Sequence, residues 1–298
     1  MTLKKKNMSL EKELKNKTVL VTGGAGSIGS AIVKKLLEYP IKTVRVLDLD
    51  EYNLFKLKRS LNDQRLRLLL GSILDTDRVE MAGKNVDIVI HAAAIKNIEI
   101  SEFNPIETID VNTNGTINMI KMAMKNSPKK FLNISTDKAV NAATLYGTTK
   151  QLGEKLTSWA GYHITGTKFA SVRLGNVIES RGNVFDVWKE ENENNKSLSI
   201  TDPSMTRYFF HMDEAVDFIL NCLSLMKLGE IFVPKMKTYK IKDLATKISK
   251  KQKIIGLRQG EKLEEILITK EEEEKSVKRK NMWIIQPYDG EKIITYQY

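Results

Sequence analysis

Residues 18–39 read TVLVTGGAGSIGSAIVKKLLEY, and no other stretch constrains the fold as much. TVLVTG is an apolar, β-branched run that reads as a strand, and SIGSAIVKKLLEY has the spacing of a helix. Between them Gly23, Gly26 and Gly29 form a G-x-x-G-x-x-G loop, with Ser27 and Ile28 opening the helix. Glycine lets the backbone turn tightly and approach a pyrophosphate, whose charge the helix N-terminus favours. A glycine triplet alone is common in turns. Here both flanking elements are present, and Asp48 ends the next apolar run about 20 residues on, where a carboxylate can accept from an adenosine ribose. The stretch predicts a dinucleotide site. Because Asp48 repels a 2′-phosphate and Leu49 offers no compensating charge, NAD is expected over NADP. The competing reading of Asp48 is a cap for the following helix.

The alternation continues. TVRVLDLD (43–50), RLRLLLGS (65–72), VDIVIHAAA (86–94), KKFLNIST (129–136) and KFASVRLGNV (168–177) read as further strands separated by amphipathic segments. That pattern predicts an α/β fold, a Rossmann-like doubly wound parallel sheet with a smaller C-terminal substrate-binding lobe. The expected domain ranges are 1–181 for the nucleotide-binding domain, with 207–230 returning to it, and 182–298 for the lobe. Beyond residue 180, HMDEAVDFILNCLSLM and YKIKDLATKISKK read as helices and EIFVPK as a strand.

Composition narrows the class of protein. A chain of 298 residues with 41% hydrophobic and 29% charged residues can bury a substantial core. Its single cysteine, Cys222, forms no internal disulfide, which suits a reducing compartment. No apolar run approaches the roughly 20 residues needed to cross a bilayer, and the basic N-terminus lacks the apolar segment of a signal peptide. A cytoplasmic protein without membrane insertion is expected. The net charge of +11 is spread along the chain without a nucleic-acid-binding signature, so no nucleic acid is expected as partner. No metal is expected either. A basic surface does attract anionic substrates.

STDKAVNAATLYGTTK (135–150) holds the candidate chemistry. A helix starting near Asn141 places Tyr146 and Lys150 one turn apart on one face. An ammonium beside a phenol favours the phenolate and makes it a usable base at an alcohol carbon. Asp137 and Lys138, just after the strand, are a further acid and base that a simple dehydrogenase does not need.

These motifs together resemble the extended short-chain dehydrogenase/reductases, and more narrowly the UDP-N-acetylglucosamine 4,6-dehydratases of surface-sugar pathways. The resemblance spans residues 16–286 and rests on TGGAGSIGS, HAAAIKNI, STDKAVN…LYGTTK, RLGNVIESRGNV, ITDPSMTRYF, EIFVPK and GLRQGEKLEE. It implies that Tyr146 takes the C4 hydroxyl proton with Lys150 beside it, that Lys138 removes the C5 proton, and that Asp137 protonates the departing C6 hydroxyl. Thr136 then binds the substrate or its developing oxyanion, and Ala92, Ala93 and Ala94 admit the cofactor. Lys96, Arg173, Asn176, Arg181, Arg207, Arg258 and Glu261 are the implied substrate contacts, with Arg207 and Arg258 on the pyrophosphate and Glu261 on the uridine ribose. A nucleotide sugar is the implied substrate, and a homo-oligomer the implied assembly.

In this family, members that invert C5 have tyrosine at position 146 and those that retain it have methionine, so inversion is the first expectation. VLDLDEYNLFKL, by contrast, is similar to the retaining branch. Three positions depart from the family pattern. Ser72 stands where an aspartate reads the adenine, Ala142 replaces a proline, and Glu179 replaces a glycine, placing a negative charge near the sugar nucleotide. A retaining dehydratase, a hexose 4-epimerase that needs only Tyr146 and Lys150, and an NAD-binding sensor or scaffold without turnover remain the alternatives.

Overall fold

The computed structural model describes residues 3–258 and 260–286. The ends of the expected domain ranges, 1–2 and 287–298, lie outside the described residues. Six strands arise where the sequence alternates: β1 (Thr18–Thr22), β2 (Thr43–Asp48), β3 (Leu66–Leu70), β4 (Ile88–His91), β5 (Lys130–Thr136) and β6 (Lys168–Leu174). They pair in parallel in the order β3-β2-β1-β4-β5-β6. Every residue of β1 and of β4 is buried, which is why these runs are continuously apolar rather than alternating. The doubly wound parallel sheet expected from the sequence is the one found.

Beyond β6 the chain leaves the sheet and comes back. β7 (Asn176–Val177), β8 (Leu198–Ile200) and β9 (Thr206–Phe210) lie outside it, and β10 (Glu230–Pro234) pairs in parallel with β6. β11 (Thr238–Lys240) and β12 (Gln252–Ile254) lie outside again, while β13 (Ser276–Lys278) and β14 (Met282–Ile285) add an antiparallel edge. The lobe is built from two small sheets, β11-β9-β7 and β12-β8, around Trp188, Phe209 and Ile241. The range 182–298 is therefore not one lobe, because β10, β13 and β14 belong to the main sheet. The apolar run that makes β10 (all five residues buried) explains the return.

Helices cover both faces of the sheet. On one face Ser27–Leu36 and Met212–Leu223 pack with Val19, Val21, Leu132 and Val172. On the other, Thr76–Gly83, Gly115–Asn126 and Leu145–His163 bring Val79, Met119 and Ala160 onto Leu20, Val89 and Phe131. The strand order reverses between β1 and β4, and the carboxyl ends of strands at such a reversal open a crevice for ligands.

The basic N-terminus hides an element that its composition conceals. Leu3–Leu14 is a helix whose Leu10 and Leu14 are buried in the first face's core, and Glu13 pairs with the mostly buried Lys130. Leu14→Ala is expected to destabilise the protein by about 2–5 kcal/mol, the usual cost of a buried leucine truncation, seen as a lower urea midpoint with an unchanged slope.

Candidate active site

The glycine-rich loop joins β1 to the helix Ser27–Leu36 directly above the crevice. Gly23 has φ +64°, and a Cβ there would stand 2.6 Å from the Ala93 backbone, so only glycine lets the loop lie on the Ala92–Ala93 turn. Gly26 caps the helix without a side-chain hydrogen bond, leaving its first amides for a ligand. Asp48, at the end of β2, accepts from Ala25 N (2.9 Å) and Asp50 N (3.1 Å), so it holds the loop. The cap of the next helix is Asp50, which accepts from Asn53 N.

A cleft of about 860 Å³ runs from this loop to the end of β5. Its walls include Gly23, Gly26, Ser27, Ile28, Gly29, Asp48, Ser72 and Ala92 to Ala94, and its far end holds Thr136, Lys138, Tyr146 and Lys150. A second cavity of about 250 Å³ opens beyond it into the lobe. Asn176, Arg207, Arg258, Glu261 and Glu265 line the second cavity, and Lys138 borders both.

Tyr146 and Lys150 lie on the helix Leu145–His163, which starts four residues later than Asn141 and is capped by Thr144 accepting from Gly147 N. A Cβ on Gly147 would fall 2.3 Å from the Lys138 carbonyl, so this glycine lets the helix sit on the turn Asp137–Ala139. Asn112 braces the helix from the other side, donating to Thr149 Oγ1 and the Ile95 carbonyl while accepting from Ile95 N. Lys138 Nζ donates to Asp137 Oδ1 at 3.1 Å and Asn176 Oδ1 at 3.4 Å. Thr136 Oγ1 donates to the same Asp137 oxygen at 2.9 Å.

Burial dominates the electrostatics here. It pushes the Tyr146 phenol well above its ordinary range, with the Asp137 charge adding to the rise and a Thr136 hydrogen bond opposing it. The expected lowering by Lys150 is not found: the influences on the phenol are burial, Asp137 and Thr136, and burial sets the direction. Burial also lowers Lys150 to about 8, against the pull of Glu154. Lys96 is lowered, first by burial and then by the Arg181 charge.

Several implied contacts are placed differently from expectation. Arg173 lines neither cavity; it is 2% exposed, paired with Glu154 and Glu272 at 2.8 Å each and donating to the Leu267 carbonyl. A guanidinium so enclosed has no face left for substrate. Arg181 lies over the glycine-rich loop, donating to Ala25 O, Ser27 Oγ and Asn53 Oδ1, on the dinucleotide side. Lys96 Nζ donates to its carbonyl. Asp137 is wholly buried and lines neither cavity, sitting behind Lys138. Glu179 turns away from the cavity and accepts from Met212 N and His211, capping the helix Met212–Leu223.

Arg207, Arg258 and Glu261 do meet at the second cavity. Arg207 donates to the Thr206, Lys262 and Leu263 carbonyls and stands 3.7 Å from Glu261. Arg258 pairs with Glu99 across the cavity mouth. Sequence reasoning missed Glu154, Glu272 and Glu265, although Glu265 is the last residue of the GLRQGEKLEE motif.

Fold and site together define a nucleotide-binding α/β protein of the extended short-chain dehydrogenase/reductase class. The family model described as polysaccharide biosynthesis protein matches residues 19–287. A Methanocaldococcus jannaschii protein described as an uncharacterized membrane protein is 43% identical over 93% of this chain and 89% of its own length. An inverting UDP-N-acetylglucosamine 4,6-dehydratase of Campylobacter jejuni is 40% identical over 91% of this chain and 83% of its own. The crystal structure of Pen from Bacillus thuringiensis superposes with TM-score 0.87 at 36% identity, covering 91% of this chain and 88% of that one. The chain belongs to the polysaccharide biosynthesis protein family, among nucleotide-sugar dehydratases and relatives named UDP-glucose 4-epimerase. Among the described residues no helix is long and apolar enough to cross a membrane, and no cluster could hold a metal ion.

Two outcomes follow from these placements. Arg173→Met is expected to cost about 3–5 kcal/mol in chemical denaturation, because it strands two carboxylates, one fully buried, while nucleotide-sugar affinity of the folded fraction stays unchanged. His91, 1% exposed, accepts from Thr22 Oγ1 at Nδ1 and donates from Nε2 to Thr116 Oγ1, whose own proton goes to the Asn112 carbonyl. Burial, helped by the Lys150 charge, depresses its pKa from 6.5 to about 3. The unfolded chain therefore binds this proton first. Stability is complete above pH 6.5 and falls between about pH 6.5 and 3 by up to about 1.4 kcal/mol per pH unit. In His91→Gln that slope is expected to flatten in pH-dependent urea melts.

Proposed function

We propose that the chain is an NAD-dependent nucleotide-sugar 4,6-dehydratase, acting on UDP-N-acetylglucosamine with inversion at C5. The observation that carries the reading is Lys138, which borders both the dinucleotide cleft, with Tyr146 and Lys150, and the lobe cavity. An epimerase acts at C4 alone and has no use for a second base next to the redox pair.

The cleft suits a dinucleotide. Gly23 leaves room that a Cβ would fill, the helix Ser27–Leu36 presents uncapped amides, and the Asp48 carboxylate disfavours a 2′-phosphate. When bound, NAD would supply an acceptor for the C4 hydride and a donor to C6. Gly23, Gly26, Ser27, Ile28, Gly29, Asp48 and Ala92 to Ala94 would hold it, with Arg181 over the loop.

The chain's own groups do the rest. Tyr146 takes the C4 hydroxyl proton, with Lys150 maintaining charge balance at the helix face. The C4 ketone acidifies C5–H, and Lys138 removes that proton. Asn176 and Asp137 orient its amine through the hydrogen bonds described above. Arg207 and Arg258 face the pyrophosphate with paired donors, Glu261 accepts from the uridine ribose, and Thr136 steadies the sugar. Tyr146 supports inversion within the subclass. The protein is cytoplasmic and a homo-oligomer in this reading.

The second reading is a 4-epimerase, supported by the epimerase names among relatives, such as one from Rickettsia bellii. Incubation with UDP-N-acetylglucosamine in deuterated water, followed by NMR, separates them. A 4-keto-6-deoxy product with deuterium at C5 is expected, in the inverted configuration. A galacto-configured product with its C6 hydroxyl intact would replace this reading with the second.

A further inference from the structure

The loop between β7 and the helix Val184–Glu193 spans the dinucleotide cleft and is tied to both of its walls. On one wall the ties come from Arg181. Its backbone N donates to Ser27 Oγ at 3.0 Å, Nε to the same oxygen at 3.4 Å, Nη2 to the Ala25 carbonyl at 2.7 Å and Nη1 to Asn53 Oδ1 at 3.1 Å. On the other wall Lys96, which follows β4, donates from Nζ to the Arg181 carbonyl at 2.7 Å. Ala25, Ser27, Asn53, Lys96 and Arg181 all line the cleft. One residue thus bridges the segments that leave β1 and β4, the two strands that flank the crevice.

The ends of this loop are fixed outside the cleft. Upstream, Glu179 accepts from Met212 N and His211. Downstream, Asn183 accepts from Phe185 N and Asp186 N and donates to the Ser180 carbonyl, and Gly182 N donates to Asp186 Oδ2 at 2.7 Å. Between these anchors Arg181 is exposed, and a Cβ added to Gly182, at φ +71°, would meet nothing within 4 Å. What pins the span to the cleft is therefore the set of bonds to Ala25, Ser27, Asn53 and Lys96.

We propose that residues 179–183 form a strap that closes over the bound dinucleotide and retains it from one turnover to the next, with Arg181 and Lys96 holding it shut. This rests on the dinucleotide reading of the cleft. Ala25 and Ser27 flank Gly26, the cap of the helix whose free amides suit a pyrophosphate, so the guanidinium stands at the way in to that site. Charged donors make the stronger hydrogen bonds, and all but the Arg181 backbone bond come from a guanidinium or an ammonium. The proposed reaction suits retention. A hydride taken at C4 and given back at C6 leaves the cofactor as it began, so no exchange is needed between cycles.

Release of the cofactor tests the strap without any sugar present. The full-length enzyme is loaded with radiolabelled NAD and chased with excess unlabelled NAD, and the retained label is followed by filter binding. Arg181→Ala and Lys96→Met are each expected to release the label at least about 10-fold faster, the effect of losing a hydrogen bond from a charged donor. A strap also lies across the way in. Binding that waits for an opening is slow, so NAD should associate faster with cofactor-free Lys96→Met than with cofactor-free wild type. A wild-type release rate in either variant would overturn the strap. Faster release with unchanged or slower association in Lys96→Met would overturn it too, making the two residues ordinary contacts of the bound cofactor. Wild-type enzyme that holds no labelled NAD would remove the dinucleotide reading and the strap with it. Because no sugar takes part, each of these outcomes stands apart from failure of the dehydratase reading, which the deuterium experiment decides.

Discussion

Moving a charged side chain from water into a protein interior costs several kcal/mol even after relaxation, and only close, well-paired geometry offsets it. Arg173 meets that condition through paired hydrogen bonds to Glu154 and Glu272 and one to the Leu267 carbonyl. Its three partners come from two separate parts of the chain. Glu154 sits on the helix that carries Tyr146 and Lys150, and Glu272 and Leu267 belong to the C-terminal segment that carries Glu265. Arg173 itself is in β6, next to β5, whose end bears Thr136. One guanidinium thus sets the catalytic helix, the sheet and the lobe's contribution to the cavity in register. The C-terminal segment has few regular elements to hold it, so this buried pairing does what strand ladders do elsewhere.

Much of the scaffold was legible in the sequence because the physics that shapes it is local. A buried parallel strand is an apolar run, a helix over it is amphipathic, and a glycine loop between them marks the crevice; β1 to β6 follow from these signals. The N-terminal helix was not legible. Its lysines dominate the composition, and among its described side chains Leu10 and Leu14 are the ones that reach the core. The return of β10, β13 and β14 to the main sheet was obscured for a different reason. Short strands with irregular spacing carry no mark of which sheet they join, and that choice is made by tertiary pairing.

The site divides along the same line. Tyr146, Lys150 and Lys138 come together because a strand end, a turn and a helix start follow one another within a few residues. Arginines are harder to place, since one side chain can reach a phosphate or a carboxylate equally well. Arg173 found two carboxylates in the core, and Arg181 found the glycine-rich loop, 154 residues away in sequence. Glu265 could not be found from spacing, because its distance to Lys138 exists only once the C-terminal segment has folded back.

The end of β5 explains how one site can serve two bond changes. Thr136 is hydrogen-bonded to Asp137 and lowers the phenol of Tyr146, while Lys138, two residues on, turns toward the lobe. Gly147 closes the helix onto this turn, so the redox pair and the Lys138 amine are held by the same few backbone atoms. Burial lifts Tyr146 and lowers Lys150 to about 8, and of the two charged forms it is the phenolate that burial disfavours near neutral pH. On the lobe side Lys138 keeps carboxylates within 4 Å, Asp137 behind it and Glu265 across the cavity. The two halves of the site therefore differ in kind. One carries a phenol whose charged form burial disfavours, and the other holds an ion pair. In the proposed dehydratase reading, a sugar spanning the turn would meet the first at one carbon and the second at its neighbours, the arrangement that coupled oxidation and elimination demand.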